Sequence, residues 1–130
     1  MTPSRSSTNG RRRQISELMP DFERGDVVRA PFPYTDRDTV QHRPAVVVAT
    51  GLGPTGKLCW VVMVTSAENR SWPGDVSLEA NYEDCGLPAP SLVRSAKIAT
   101  TDRNRLGLLG RLPAPAFESV LNAIHARLSR

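Results

Sequence analysis

Arg43 is the residue best suited to chemistry in this 130-residue chain. Its guanidinium keeps its charge at every physiological pH and presents a planar fork of N–H donors that matches phosphate. It stands between His42 and Pro44, directly ahead of the apolar run Ala45-Val46-Val47-Val48-Ala49. Pro44 fixes its own φ and biases Arg43 toward extended backbone, which limits where the guanidinium can point. The run behind it is dense in β-branched residues and reads as a strand buried on both faces. A cation held at the mouth of such a strand is a candidate anion site.

The charge of the whole chain says less. The formal net charge is +4, and Arg5, Arg11, Arg12 and Arg13 account for all of it. Residues 1–20 therefore read as a basic, disordered arm able to add weak, salt-dependent phosphate affinity, or as a leader without a role. Residues 21–130 read as one domain with balanced charge, so any anion site there depends on local clustering. No apolar stretch approaches the roughly 20 residues that span a bilayer. The arginines near the start precede no apolar signal core, which places the protein in the cytoplasm. Cys59 and Cys85 are then expected as reduced, partly buried thiols. No spacing of Cys, His and Asp makes a persuasive zinc site, and no cofactor is expected.

The elements that must position Arg43 follow from apolar patterning. Residues Phe22 to Asp26 form a turn into the strand Val27-Val28-Arg29-Ala30, with Pro31-Phe32-Pro33-Tyr34 expected to end its pairing. A polar loop, Thr35 to Gln41, leads to the Val46 strand. The glycine-rich turn Gly51 to Gly56 leads to a second dense strand, Leu58 to Val64, in which Trp60 reads as core. A short strand follows at Asp75 to Leu78, and another from Ser91 to Thr100. Thr101-Asp102 resembles a helix start with a short turn to Leu106. The chain closes with an amphipathic helix, Pro113 to Leu128, carrying Phe117, Leu121, Ile124 and Leu128 on one face and Pro115 in its first turn. Short strands between Gly/Pro turns, closed by one helix, make a small bent sheet or partly closed barrel.

The ordered segments Arg24-Gly-Asp-Val-Val, Pro31-Phe-Pro-Tyr-Thr-Asp36, His42-Arg-Pro-Ala-Val-Val-Val, Val64-Thr-Ser-Ala, Pro73-Gly-Asp-Val and Ser91-Leu-Val-Arg-Ser-Ala-Lys-Ile resemble the MazF/PemK family of toxins from type II toxin–antitoxin systems. The resemblance is collinear and runs from about Phe22 to Leu128. It implies a mainly β, α+β fold: an SH3-like small barrel with a C-terminal helix, usually a homodimer. It also implies a metal-independent endoribonuclease that cuts single-stranded RNA through the substrate's own 2′-hydroxyl, restrained by a cognate antitoxin protein. The same resemblance puts Arg43 and Thr65-Ser66 in the active site.

That chemistry asks for such residues in its own right. Attack by a 2′-oxygen builds negative charge on the phosphorane oxygens, so fixed cations and hydroxyl donors should face it. Arg43 comes first, with Thr65 and Ser66 holding a non-bridging oxygen from the end of a neighbouring strand. Part of the family shares catalysis between an arginine and an aspartate in the segment matching Arg94-Ser95-Ala96. Here Arg94 is present, and Ala96 stands where the carboxylate would be. Asp36, Asp38 and His42 are the replacements to consider as proton acceptor; His42 has a suitable intrinsic pKa, but strand alternation turns it away from Arg43. Tyr34 and Trp72 lie in loops where rings stack unpaired bases, and His42 and Lys97 are further substrate-binding candidates. Arg94 alternates with Val93 and reads equally as a solvated strand residue. Two alternatives stay open: an attenuated RNA-binding member, prompted by Ala96, and a CcdB-like barrel that poisons a protein such as DNA gyrase.

Overall fold

The computed structural model describes residues 21–33 and 39–129. The arm at 1–20, together with Tyr34, Asp36 and Asp38, lies outside the described residues. Among the described residues six strands, β1 (Asp26–Pro33), β2 (Val40–Leu52), β3 (Leu58–Ser66), β4 (Asp75–Ser77), β5 (Ser91–Asp102) and β6 (Gly107–Arg111), precede an α-helix, α1 (Ala114–Leu128). They form a single antiparallel sheet in the order β4-β5-β3-β2-β1-β6. Register shifts interrupt the β1–β6, β2–β3 and β3–β5 ladders. Such bulges add bend and twist to a strand. The sheet curls into a small barrel-like shape that stays open between β4 and β6.

Curling gives the sheet two apolar faces, and the continuous valine runs supply both. Successive side chains point to opposite sides of a strand. Val27, Val46, Val48, Val62, Val64 and Val93 accordingly meet Val120 of α1, with Phe117, Leu121 and Ile124 packed alongside. Val28, Ala30, Ala45, Val47, Cys59, Val61 and Met63 fill the opposite side with Phe32 and Leu106. Arg43 and Thr65 lie at the rim of this second cluster.

Close approach of β6 to the one-turn helix at Glu83–Cys85 depends on two glycines. A Cβ on Gly86 would sit 2.1 Å from the Leu109 carbonyl oxygen, and one on Gly110 would sit 2.3 Å from that of Cys85. A second short turn, Arg103–Arg105, is capped by Asp102, whose Oδ1 accepts the Asn104 N–H at 2.8 Å. Both thiols are free and buried, as expected.

Two expectations are corrected. The Pro31-Phe32-Pro33 segment does not end pairing: β1 continues to Pro33, opposite Val40. Pairing of β1 with β6 stops at Arg29, so both prolines lie where β1 has become an edge strand, the position that tolerates a missing N–H. Trp60 is 48% exposed rather than core. It shares the face of Val62 and Val64, but α1 packs against β4 and β5 at the other end of β3. Periodicity names the face, and only the helix position decides whether that part of it is covered.

Candidate active site

Pairing of β2 with β3 brings the first two functional residues together. Ala45 lies opposite Met63, and two residues further along each strand the same register sets Arg43 beside Thr65 on the same face. The Arg43 Nη2 donates to Thr65 Oγ1 at 2.9 Å. Thr65 is buried and Arg43 is half-buried. On the other side Arg43 pairs with Ala30, whose methyl group leaves the guanidinium uncrowded. Among the described residues no carboxylate comes within ion-pair distance of Arg43. As a plain rim arginine Arg43 could pair with Asp26 or Asp36; Asp26 accepts from Arg111 Nη1 at 2.9 Å, and Asp36 lies outside the described residues. Among the described residues, then, the Arg43 guanidinium meets a neutral hydroxyl and no carboxylate.

A third residue joins them that the sequence reading passed over. Asn69 Nδ2 donates to the same Thr65 Oγ1 at 2.7 Å. Asparagine four residues after the threonine is a weak signal by itself. The turn between them makes the contact, since Asn69 N–H reaches the Ser66 carbonyl at 3.1 Å. The Ser66 hydroxyl is occupied in building this turn, accepting the Glu68 N–H at 3.1 Å.

Arg94 occupies a different environment on the β4–β5 ladder, where Asp75 lies opposite it. Its Nη2 donates to Asp75 Oδ2 at 2.9 Å and its Nε to Oδ1 at 3.3 Å. The same Nη2 also reaches the Arg70 carbonyl at 2.6 Å. Its guanidinium carbon stands 4.0 Å from the centroid of the Trp72 ring. The side chains of Arg94 and Asp75 are 8% and 2% exposed, so Arg94 is not a solvated strand residue. Where Ala96 offers no carboxylate, Asp75 supplies one from the neighbouring strand. It also accepts the Trp72 N–H at 2.8 Å. These three hydrogen bonds tie β4 to β5 and to the Trp72 turn.

Around these two arginines, Lys97 Nζ lies 5.5 Å from the Trp72 ring, and His42 is exposed on the side of β2 away from Arg43. The Trp72 ring stacks on the Arg94 guanidinium and keeps part of its surface open to solvent. Asp36 and Tyr34 lie outside the described residues, in the segment between β1 and β2.

The described residues thus make a small curled antiparallel sheet with a packed helix, carrying at its rim an arginine bonded to a buried hydroxyl. The chain matches the model of the PemK-like, MazF-like toxins of type II toxin–antitoxin systems over residues 23–128 and belongs to that family. Solved structures share the fold. MazF from Deinococcus radiodurans superposes with a TM-score of 0.63 at 24% identity, over 85% of this chain and 100% of its own. The Mycobacterium tuberculosis toxin MazF-mt6 gives 0.62 at 21%, over 80% and 96%. An endoribonuclease from Mycobacterial species, solved with its cognate antitoxin, gives 0.64 at 21%, over 84% and 96%. Comparison with curated proteins found no match. No helix among the described residues is long and apolar enough to cross a membrane.

Proposed function

We propose that this toxin is an endoribonuclease that cleaves single-stranded RNA without a metal ion. The observation that carries the reading is Arg43, charged, without a carboxylate partner among the described residues, and bonded to the Thr65 hydroxyl. In the proposed step the 2′-oxygen attacks the adjacent phosphorus and loses its proton to a base. The bond from phosphorus to the 5′-oxygen breaks, and that oxygen leaves with a proton. The products are a 2′,3′-cyclic phosphate and a 5′-hydroxyl. Arg43 and Thr65 face the non-bridging oxygens, where charge accumulates. Asp75 is engaged by Arg94 and the Trp72 N–H, so Asp36, Asp38 and His42 are the bases to test. Lys97, Trp72 and Tyr34 would contact the RNA chain and its bases.

A cognate antitoxin is the proposed inhibitor, by analogy with the mycobacterial relative solved in complex with one. An acidic segment laid over Arg43 would compete with RNA for the same charge. A homodimer is the proposed working form, and the cytoplasm its compartment.

The test is incubation of the purified chain with mixed-sequence RNA in excess EDTA, followed by identification of the cut ends. Cleavage leaving cyclic phosphate, abolished in Arg43→Ala, is the expected result. Dependence on added metal would overturn the mechanism. Ala96 motivates a second reading, an attenuated member that holds RNA without cutting it. RNA that is bound and left intact by the folded chain would favour that reading.

A further inference from the structure

We propose that Asn69 is a positioning residue of this site, which commits the Thr65 hydroxyl to donate a hydrogen bond toward a phosphoryl oxygen. The inference rests on the nuclease reading for the identity of the acceptor, and on geometry for the rest. A hydroxyl has one hydrogen to donate and two lone pairs to accept with. Arg43 Nη2 takes one lone pair of Thr65 Oγ1 at 2.9 Å, and Asn69 Nδ2 takes the other at 2.7 Å. An arginine can only donate, so its side of the arrangement has one orientation. With both lone pairs occupied, the hydrogen keeps one tetrahedral direction, away from both donors. Thr65 is only 6% exposed, so water has little room to reorganise this set. The hydroxyl acts as a fixed donor and is unable to serve as a proton acceptor.

The loop after β3 is built to hold Asn69 in this position. Ala67 N–H bonds the Pro90 carbonyl at 3.0 Å, and Asn69 N–H bonds the Ser66 carbonyl at 3.1 Å. The Ser66 hydroxyl supports the same turn through Glu68 N–H at 3.1 Å. One residue past Asn69, the Arg70 carbonyl is held by Arg94 at 2.6 Å. Anchors on both sides of Asn69 allow an exposed asparagine to keep a fixed direction. Orienting a donor before charge develops is what makes it effective in a transition state. The loss should therefore fall on kcat more than on KM.

The experiment is a double-mutant cycle of Asn69→Ala and Thr65→Val on RNA cleavage by the full chain. Asn69→Ala is expected to lower kcat about tenfold, as for one oriented hydrogen bond, with KM within about twofold. In the Thr65→Val background the same change should have no further effect, because no hydroxyl remains to orient. Asn69→Asp replaces the donor with an acceptor that captures the Thr65 hydrogen, and it should cost about 10²-fold in kcat, like a lost oxyanion donor. Additive losses in the cycle would overturn the proposal. So would full activity in Asn69→Asp, since the amide oxygen would then be the atom facing the hydroxyl. The Asn69 side-chain amide resonances supply a readout independent of cleavage. They should shift in Thr65→Val, and unmoved resonances would overturn the assignment. RNA left intact by wild type, with those resonances displaced, would remove the nuclease reading while keeping Asn69 on Thr65.

Discussion

Arg43 and Arg94 sit on the same small sheet and do opposite things with the same functional group. Arg94 is buried, forked onto Asp75, bonded to a carbonyl and stacked on Trp72. Arg43 is half-buried and has one neutral hydroxyl as its hydrogen-bond partner among the described residues. A guanidinium whose donors and charge are satisfied inside the protein holds the protein together. One whose charge is left without a counter-ion is ready for a ligand. The difference lies in the partners, and on the proposed reading it separates an arginine that anchors the sheet from one that meets substrate.

The largest effect expected from breaking this contrast is on stability. Arg94→Ala leaves Asp75 buried without its cation and should cost about 3–5 kcal/mol, read by urea denaturation. Unchanged stability would show that Arg94 is not the anchor described. Arg43→Ala comes next: cleavage should fall about 10²–10³-fold while the denaturation midpoint stays near wild type. A large loss of stability there would place Arg43 in the same class as Arg94. Lysine sharpens the comparison further. Arg43→Lys keeps a charge for phosphate and should retain part of the activity. Arg94→Lys loses the fork and the stack and should still destabilise, by about 1–3 kcal/mol.

The smallest prediction concerns the buried thiols. Burial pushes both Cys59 and Cys85 up from the ordinary thiol range, with the nearby Arg103 partly opposing this at Cys59. The folded state then holds its thiol protons after the unfolded chain has begun to lose them. Stability from this source is fully present below the unfolded thiol pKa of about 8.5 and falls as pH rises above it. Denaturation from pH 7 to 10, compared with a Cys59→Ala, Cys85→Ala variant, should show the steeper decline in the wild type.

The same contrast explains how far the sequence could be read. Its continuous apolar runs determined the central strands, because each valine run feeds both faces of a curled sheet. Its turn residues and closing amphipathic segment determined the rest of the element order. Arg43 and Thr65 were legible as site candidates because the residue types suit the chemistry and flank strand ends. Trp60 and the Pro31-Phe32-Pro33 segment were misjudged for one reason. Coverage of a face and the freedom of an edge depend on where α1 and β6 lie, which alternation does not encode.

By itself, then, the sequence determined a small β toxin fold with a cation at a strand mouth. Tertiary structure alone decided which arginine is buried on a carboxylate and which, among the described residues, is not. Asp75 reaches Arg94 only through the pairing of β4 with β5, nineteen residues apart in the chain. Asn69 meets Thr65 only because a turn folds back and is anchored on both sides. Hydrogen bonds act over a few ångströms, so partners distant along the chain become visible only once the sheet is assembled.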